Sequence, residues 1–232
     1  MSNGKLFLIP CGLGGQNESE ILPAETIQAT HLLTEFIVEK EKTARHFLKR
    51  IGYPHSLNDL ILHPLNKHSD QHATPTYLNS ALEGKNIGLI SEAGCPAVAD
   101  PGAVVVELAH EKNIEVVPLI GPSSILLGLM ASGKSGQSFV FHGYLPKDKS
   151  ERVQKIRQME SASKRDQTQI FMETPFRNND LLTDLMNTLN GSTQLTIACN
   201  LATSKQRITS KPMEFFKTNP INLSKQPTVF YL

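Results

Sequence analysis

Apolar residues recur along the chain in short runs, and these alternate with stretches where they return every three or four positions. Residues 5–9 are an apolar run closed by Pro10 and a glycine-rich turn, the pattern of a buried first strand. Residues 23–33 carry proline at the start and apolar side chains at Ile27, Leu32 and Leu33, which predicts a helix. A second strand is expected over 36–38, and a helix over 42–51 stopped by Gly52. Residues 53–73 are rich in His, Pro, Asn and Asp and read as loop, with a short strand at 60–63. A helix over 76–82 closes at Gly84.

The clearest pattern follows. Residues 86–91 are an apolar strand, 92–102 a loop, 103–112 a helix and 115–119 a strand. Strand, helix, strand in this order predicts a parallel sheet with a right-handed crossover. The turn at 120–124 leads into a helix over 125–132, ended by Gly133. Beyond it, strands are expected at 138–143, 169–173, 194–199, 213–216 and 228–232, and helices at 149–163 and 178–189. The fold class is therefore α/β. Two α/β domains are expected, 1–119 and 120–232, with a crevice between them as the default ligand site.

Composition narrows the class without changing it. With 39% hydrophobic and 19% charged residues, the 232-residue chain is ordinary globular material. A net charge of +1 means that any RNA contact comes from a local patch. Three cysteines, Cys11, Cys95 and Cys199, show no CxxC spacing, which argues against a disulfide framework and a thiolate zinc site. The N-terminal apolar stretch is too short for a signal-peptide core, and no run reaches the roughly 20 residues of a membrane span. A cytoplasmic protein without membrane contact is expected.

Candidate chemistry concentrates in the loop Ser91-Glu92-Ala93-Gly94-Cys95-Pro96 and its continuation to Gly102. Ligands of open α/β sheets bind beyond the carboxyl ends of strands. Ala93, Gly94 and Cys95 are small enough for a ligand to approach the backbone, Pro96 and Pro101 stiffen the loop, and Glu92 and Asp100 supply carboxylates. A plain rigid connection would look similar. Gly121-Pro122-Ser123-Ser124 offers hydroxyls at a helix start, suited to an anionic group or to simple capping. Residues 128–135 match a phosphate-binding loop expression literally, but their glycines fall in and after a helix rather than between strand and helix. Nucleotide binding there is a remote alternative. His63, His68 and His72, with Asp70, lie in a loop and are read as solvent contacts rather than a metal site. His142 is read as a hydrogen-bonded structural residue, with a role as base the alternative.

Taken in order, SEAGCPAVADPG (91–102), EVVPLIGPSS (115–124), FHGYLPKDKSER (141–152) and IFMETPFR (170–177) resemble the tetrapyrrole methylase superfamily. Within it they are most similar to the bacterial enzymes that methylate a cytidine ribose 2′-hydroxyl of small-subunit ribosomal RNA, which read SDAGTPxxxDPG, PGPxA, GFLPxKxxxR and FYExPHR. The resemblance implies two α/β domains with S-adenosylmethionine in the cleft between them, a homodimer, and RNA or the small ribosomal subunit as partner; no DNA partner is expected, and methyl transfer needs no metal. It implies cofactor contacts from Pro10, Ala93, Gly94, Cys95, Pro96, Val98, Ser123, Ser124, Met172, Ala198 and Leu201. Glu39, Glu92 and Asp100 are the candidate bases or polarising groups. Lys147, Lys149 and Arg152, in a basic run continuing to Lys155 and Arg157, are the candidate RNA contacts.

The chain departs from the family pattern in four places. PTPIGN becomes residues 10–15, EDTR becomes 39–42, ARELTK becomes 198–203 with Asn200 for glutamate, and the C-terminal GE becomes Gln226-Pro227. These departures keep two further readings open: a cofactor-binding protein that no longer methylates RNA, and a methylase of a small tetrapyrrole-like molecule.

Overall fold

The computed structural model describes residues 2–14, 17–65 and 74–232. His68, Asp70, His72 and Gly15 lie outside the described residues. The chain divides into two compact units, Met1–Ser123 and Ser124–Leu232.

The first unit is built on five parallel strands: β1 (Lys5–Ile9), β2 (Glu35–Val38), β3 (Ile61–Pro64), β4 (Ile87–Ile90) and β5 (Glu115–Pro118), in the order β3-β2-β4-β1-β5. Its helices are α1 (Glu18–Ile21), α2 (Ala24–His31), α3 (Glu41–Arg50), α4 (Asn79–Leu82) and α5 (Ala103–Glu111), with a 3-10 turn at Thr74–Leu78 before α4. All four positions of β2 and of β4 are buried, as a parallel sheet covered on both faces requires. Alternation along β2 divides its side chains: Phe36 and Val38 join Leu33, Phe47 and Leu48 on one face, and Ile37 joins Leu78, Ile87 and Val105 on the other. β4 lies between β1 and β2, so the carboxyl ends of these three strands adjoin. They deliver Pro10, Glu39 and Ser91 to one end of the sheet.

The second unit carries a mixed sheet: β6 (Phe139–Tyr144), β7 (Thr168–Met172), β8 (Gln194–Cys199), β9 (Arg207–Pro212) and β10 (Thr228–Tyr231), in the order β6-β7-β10-β8-β9. Only β6 and β7 run parallel; the other pairs are antiparallel. Helices α6 (Ser124–Ser132), α7 (Lys149–Ser163), α8 (Asn178–Thr188) and α9 (Met213–Thr218) complete it. Ile156, Phe171, Leu185, Leu195, Met213, Phe216 and Phe230 share one core.

One expected strand is a helix. Residues 213–216 start α9, because Pro212 sets an extended N-cap and Met213 and Phe216, three apart, are the buried pair. A strand would have buried alternate residues. The strand lies just before it: β9 pairs with β8 over six positions, and its polar composition suits a sheet edge. The four-residue α1 was also absent from the sequence pattern.

A candidate cofactor loop and its acidic rim

The loop after β4 is tied to the turn after β1 by main-chain bonds. Cys11 and Gly94 exchange both N–H···O bonds at 3.0 Å. Ser91 donates its hydroxyl to the Gly94 carbonyl at 2.6 Å, closing the loop on itself. Gly94 has φ +72°, a left-handed conformation that favours glycine. A Cβ there would stand 3.4 Å from the Leu13 side chain and 3.6 Å from the Pro122 carbonyl. Ala97 (φ 64°) and Ala99 (φ 57°) are also left-handed, so the loop holds two strained non-glycine residues. Pro96 is buried, whereas Ala93 and Val98 are exposed. The Cys95 thiol points to the Pro122 carbonyl at 3.6 Å, and burial raises its pKa. Burial, helped by Glu18, raises that of Cys11 as well. Both thiols are protonated and poor nucleophiles.

The 120–124 turn is fitted against the same loop. A Cβ on Gly121 would fall 2.2 Å from Pro10 Cγ, so glycine is what lets the proline ring lie against this turn. Pro10, Gly94, Cys95 and Pro122 thus converge within the first unit, with Ser123 next in the chain. The small residues leave the backbone of this loop open to close approach.

A pair that no sequence pattern marks braces this region. The buried Glu18 carboxylate accepts the Gly12 N–H at 2.7 Å through one oxygen and the Arg50 guanidinium at 2.8 Å through the other. Glu18 lies in a polar stretch with no periodicity; only the fold shows that α3 brings Arg50 to it.

Three carboxylates rim the loop. Thr43 Oγ1 donates to Glu92 at 2.5 Å, and Lys40 Nζ lies 3.5 Å from Glu92 and 3.8 Å from Glu39. Asp100 has neither a hydrogen bond nor an ion pair among the described residues. Burial, then repulsion from Glu39 and Glu92, pushes its pKa up to about 6.

In the second unit the predicted residues divide by role. The Arg152 guanidinium is committed: Nε and Nη2 to Asp184 at 2.7 Å, and Nη1 to the Pro146 and Lys147 carbonyls at 3.0 and 2.8 Å. It pins α7 to α8 rather than facing solvent. Lys147 and Lys149 are exposed, with Lys149 3.9 Å from Asp184. In IFMETPFR, the buried Glu173 accepts from Arg177 at 2.5 Å and from the Thr174 N–H at 2.6 Å. That motif is therefore in part a structural clamp. Met172 is half-buried, and Ala198 and Leu201 are buried. Two departures from the family pattern meet here, for Asn200 donates its amide to Gln226 at 3.0 Å. Gly128 is inside α6, where a Cβ would stand 2.0 Å from the Tyr231 hydroxyl. That hydroxyl donates toward the Ser124 and Ile125 carbonyls. The glycine accommodates a tyrosine and forms no phosphate loop.

His142 contacts Gln169 at 2.7 Å, and burial lowers its pKa, consistent with a structural role. His63 contacts Glu35 at 2.7 Å and stacks on Tyr77. Among the described residues, no group of three or more potential ligands could hold a metal ion. None of their helices is long and apolar enough to cross a membrane.

Comparison with known proteins identifies the family. The tetrapyrrole (corrin/porphyrin) methylase family model matches residues 26–215. Ribosomal RNA small subunit methyltransferase I of Vibrio cholerae is 32% identical over 209 residues, 90% of this chain and 68% of that protein. The protein of the same name from Escherichia coli O157:H7 is 29% identical over 212 residues, covering 91% and 70%. Among solved structures, the methyltransferase CobJ superposes with a TM-score of 0.64 at 18% identity, over 98% of this chain and 93% of that one. Uroporphyrin-III C-methyltransferase from Thermus thermophilus, complexed with S-adenyl homocysteine, gives 0.62 at 14% identity, over 98% and 96%. These neighbours share its fold, and the chain belongs to the tetrapyrrole methylases.

Proposed function

We propose that this chain transfers a methyl group from S-adenosylmethionine to RNA of the small ribosomal subunit. The observation that carries the reading is the Cys11–Gly94 pairing, which shapes a loop of small residues at the carboxyl ends of β1 and β4. Pro10, Ala93, Gly94, Cys95, Pro96, Val98 and Ser123 are the cofactor contacts assigned to the first unit. Ser124, Met172, Ala198 and Leu201 are those assigned to the second. The acceptor class comes from the relatives named for ribosomal RNA, which match at least 84% of this chain in the first four cases.

The cofactor supplies an activated methyl, so the protein's task is alignment and removal of one proton. Asp100 is the base we assign. With its pKa about 6 it is ionised at neutral pH yet basic enough to accept a hydroxyl proton as the methyl is transferred. Glu92 is held by Thr43 and Lys40 and orients the rim. Lys147 and Lys149 contribute positive charge for RNA. The protein works in the cytosol, where its substrate is.

We also infer a homodimer. α6 is apolar on nearly every side, and Met130 is 80% exposed. A second copy would cover that face. The function is tested by incubating the protein with labelled S-adenosylmethionine and small subunits from a strain lacking it. Label in the RNA supports the reading; intact cofactor binding without label removes RNA as the acceptor.

A further inference from the structure

The helix that braces the cofactor loop has a second, unassigned face. Ala44, Phe47 and Leu48 of α3 are buried in the core. Lys42, His46 and Lys49 are exposed. Spacings of four and three residues put these three on one side of the helix. None of them has an ion pair among the described residues. They line a surface groove of about 430 Å³ together with Glu41, Arg45 and Leu57. Its one carboxylate is neutralised internally, because Glu41 lies 3.3 Å from Arg45, whose guanidinium also donates to the Leu57 carbonyl. The groove therefore carries net positive charge on a chain whose overall charge is only +1.

The position of this face matters as much as its charge. α3 begins on the cofactor loop, where Thr43 donates to Glu92 at 2.5 Å and Lys40 lies 3.5 Å from it. Lys42 and Lys49 are about 10 Å apart along the axis at 1.5 Å per residue. That is roughly the length of three stacked nucleotides. The Leu57 side chain and the lysine and arginine stems give the groove an apolar floor, and the His46 ring offers a stacking face.

We propose that the outer face of α3 docks a single strand of RNA, with Lys42 and Lys49 on phosphates and His46 against a base. The strand would then lead toward Glu92 and Asp100. This rests on the RNA reading above and adds to it a surface of whose three contact residues only Lys42 falls in a family motif, the segment 39–42.

The test is fluorescence anisotropy of a labelled single-stranded RNA with the full chain over a range of salt, with calorimetry of S-adenosylmethionine alongside. Lys42→Glu/Lys49→Glu should weaken RNA binding at least tenfold. Lys42→Ala/Lys49→Ala should weaken it severalfold and reduce the salt slope by about 1.4, two contacts at about 0.7 each. Lys85→Glu, an exposed lysine away from α3, should change neither. Cofactor affinity should stay at the wild-type value in all three. RNA affinity and salt slope within twofold of wild type in both double variants would overturn the proposal, with the alanine pair decisive if charge reversal prevents folding. Equal competition by duplex DNA would overturn it too, showing a general polyanion surface. If the wild-type protein binds S-adenosylmethionine but neither RNA nor small subunits, the RNA reading itself fails.

Discussion

A carboxyl group buried beside other carboxylates keeps its proton to a higher pH than one in water. At Asp100 the ordinary 3.8 becomes about 6, so the folded protein binds this proton more tightly than the unfolded chain. Stability contributed here is lost as pH rises from about 4 to 6 and stays lost above. Asp100→Asn should therefore melt higher than wild type at neutral pH, with the difference closing below about pH 4. Activity should move the opposite way. Wild-type kcat/KM should fall below about pH 6 as the base protonates, and the asparagine variant should lose about 10²–10⁴-fold at neutral pH. A variant that melts higher but keeps its rate would remove Asp100 as the base. Gly94 makes a second prediction. Gly94→Asp places a charged side chain at φ +72° between Leu13 and the Pro122 carbonyl. Calorimetry should show no S-adenosylmethionine binding, while circular dichroism shows the fold retained. Unchanged affinity would count against the loop as the cofactor site.

Among the elements, those with a strong period were legible in the sequence and those defined by distant partners were not. β4 and residues 36–38 of β2 are continuous apolar runs because both sheet faces are covered, and α3 alternates a buried and a charged side. β9, with the sequence RITSKP, has no such period; it is a strand because β8 offers it an edge. α9 has phenylalanines at two adjacent positions, which suit a strand locally, yet tertiary packing selects Met213 and Phe216. The same limit applied to charged residues. Arg152 stands in a basic run and reads as an RNA contact, but α8 supplies Asp184 to pair with it. Arg152→Ala should cost about 3 kcal/mol in denaturant unfolding, because it leaves the buried Asp184 carboxylate with only the exposed Lys149, 3.9 Å away. RNA affinity should fall no more than that of a neighbouring exposed-lysine variant. Glu18→Ala likewise leaves the buried Gly12 N–H without its acceptor and takes the partner from the half-exposed Arg50. The unsatisfied N–H should cost about 1–3 kcal/mol and weaken cofactor binding, whereas Glu18→Gln, which keeps an acceptor for Gly12, should lose less of both.

At the scale of the molecule, four motifs in order pointed to the family, while the distribution of labour within them came only from the fold. SEAGCPAVADPG shapes the candidate cofactor loop; Arg152 and the Glu173–Arg177 pair hold helices and turns in place. The departures are not scattered losses, since Asn200 and Gln226 bond to each other and Glu18 braces the altered first turn. Assembly is the other molecular property open to test. Analytical ultracentrifugation should show a dimer, and Met130→Lys should shift it toward monomer by charging the exposed face of α6. A monomeric wild type at micromolar concentration would remove the homodimer. The central claim is methyl transfer to small-subunit RNA. Its most direct measurement is incorporation of labelled methyl from S-adenosylmethionine into small subunits prepared without this protein. The expected result is label in the RNA, close to one methyl per subunit, and none with Gly94→Asp. Subunits that stay unlabelled while the wild-type protein binds the cofactor would contradict it.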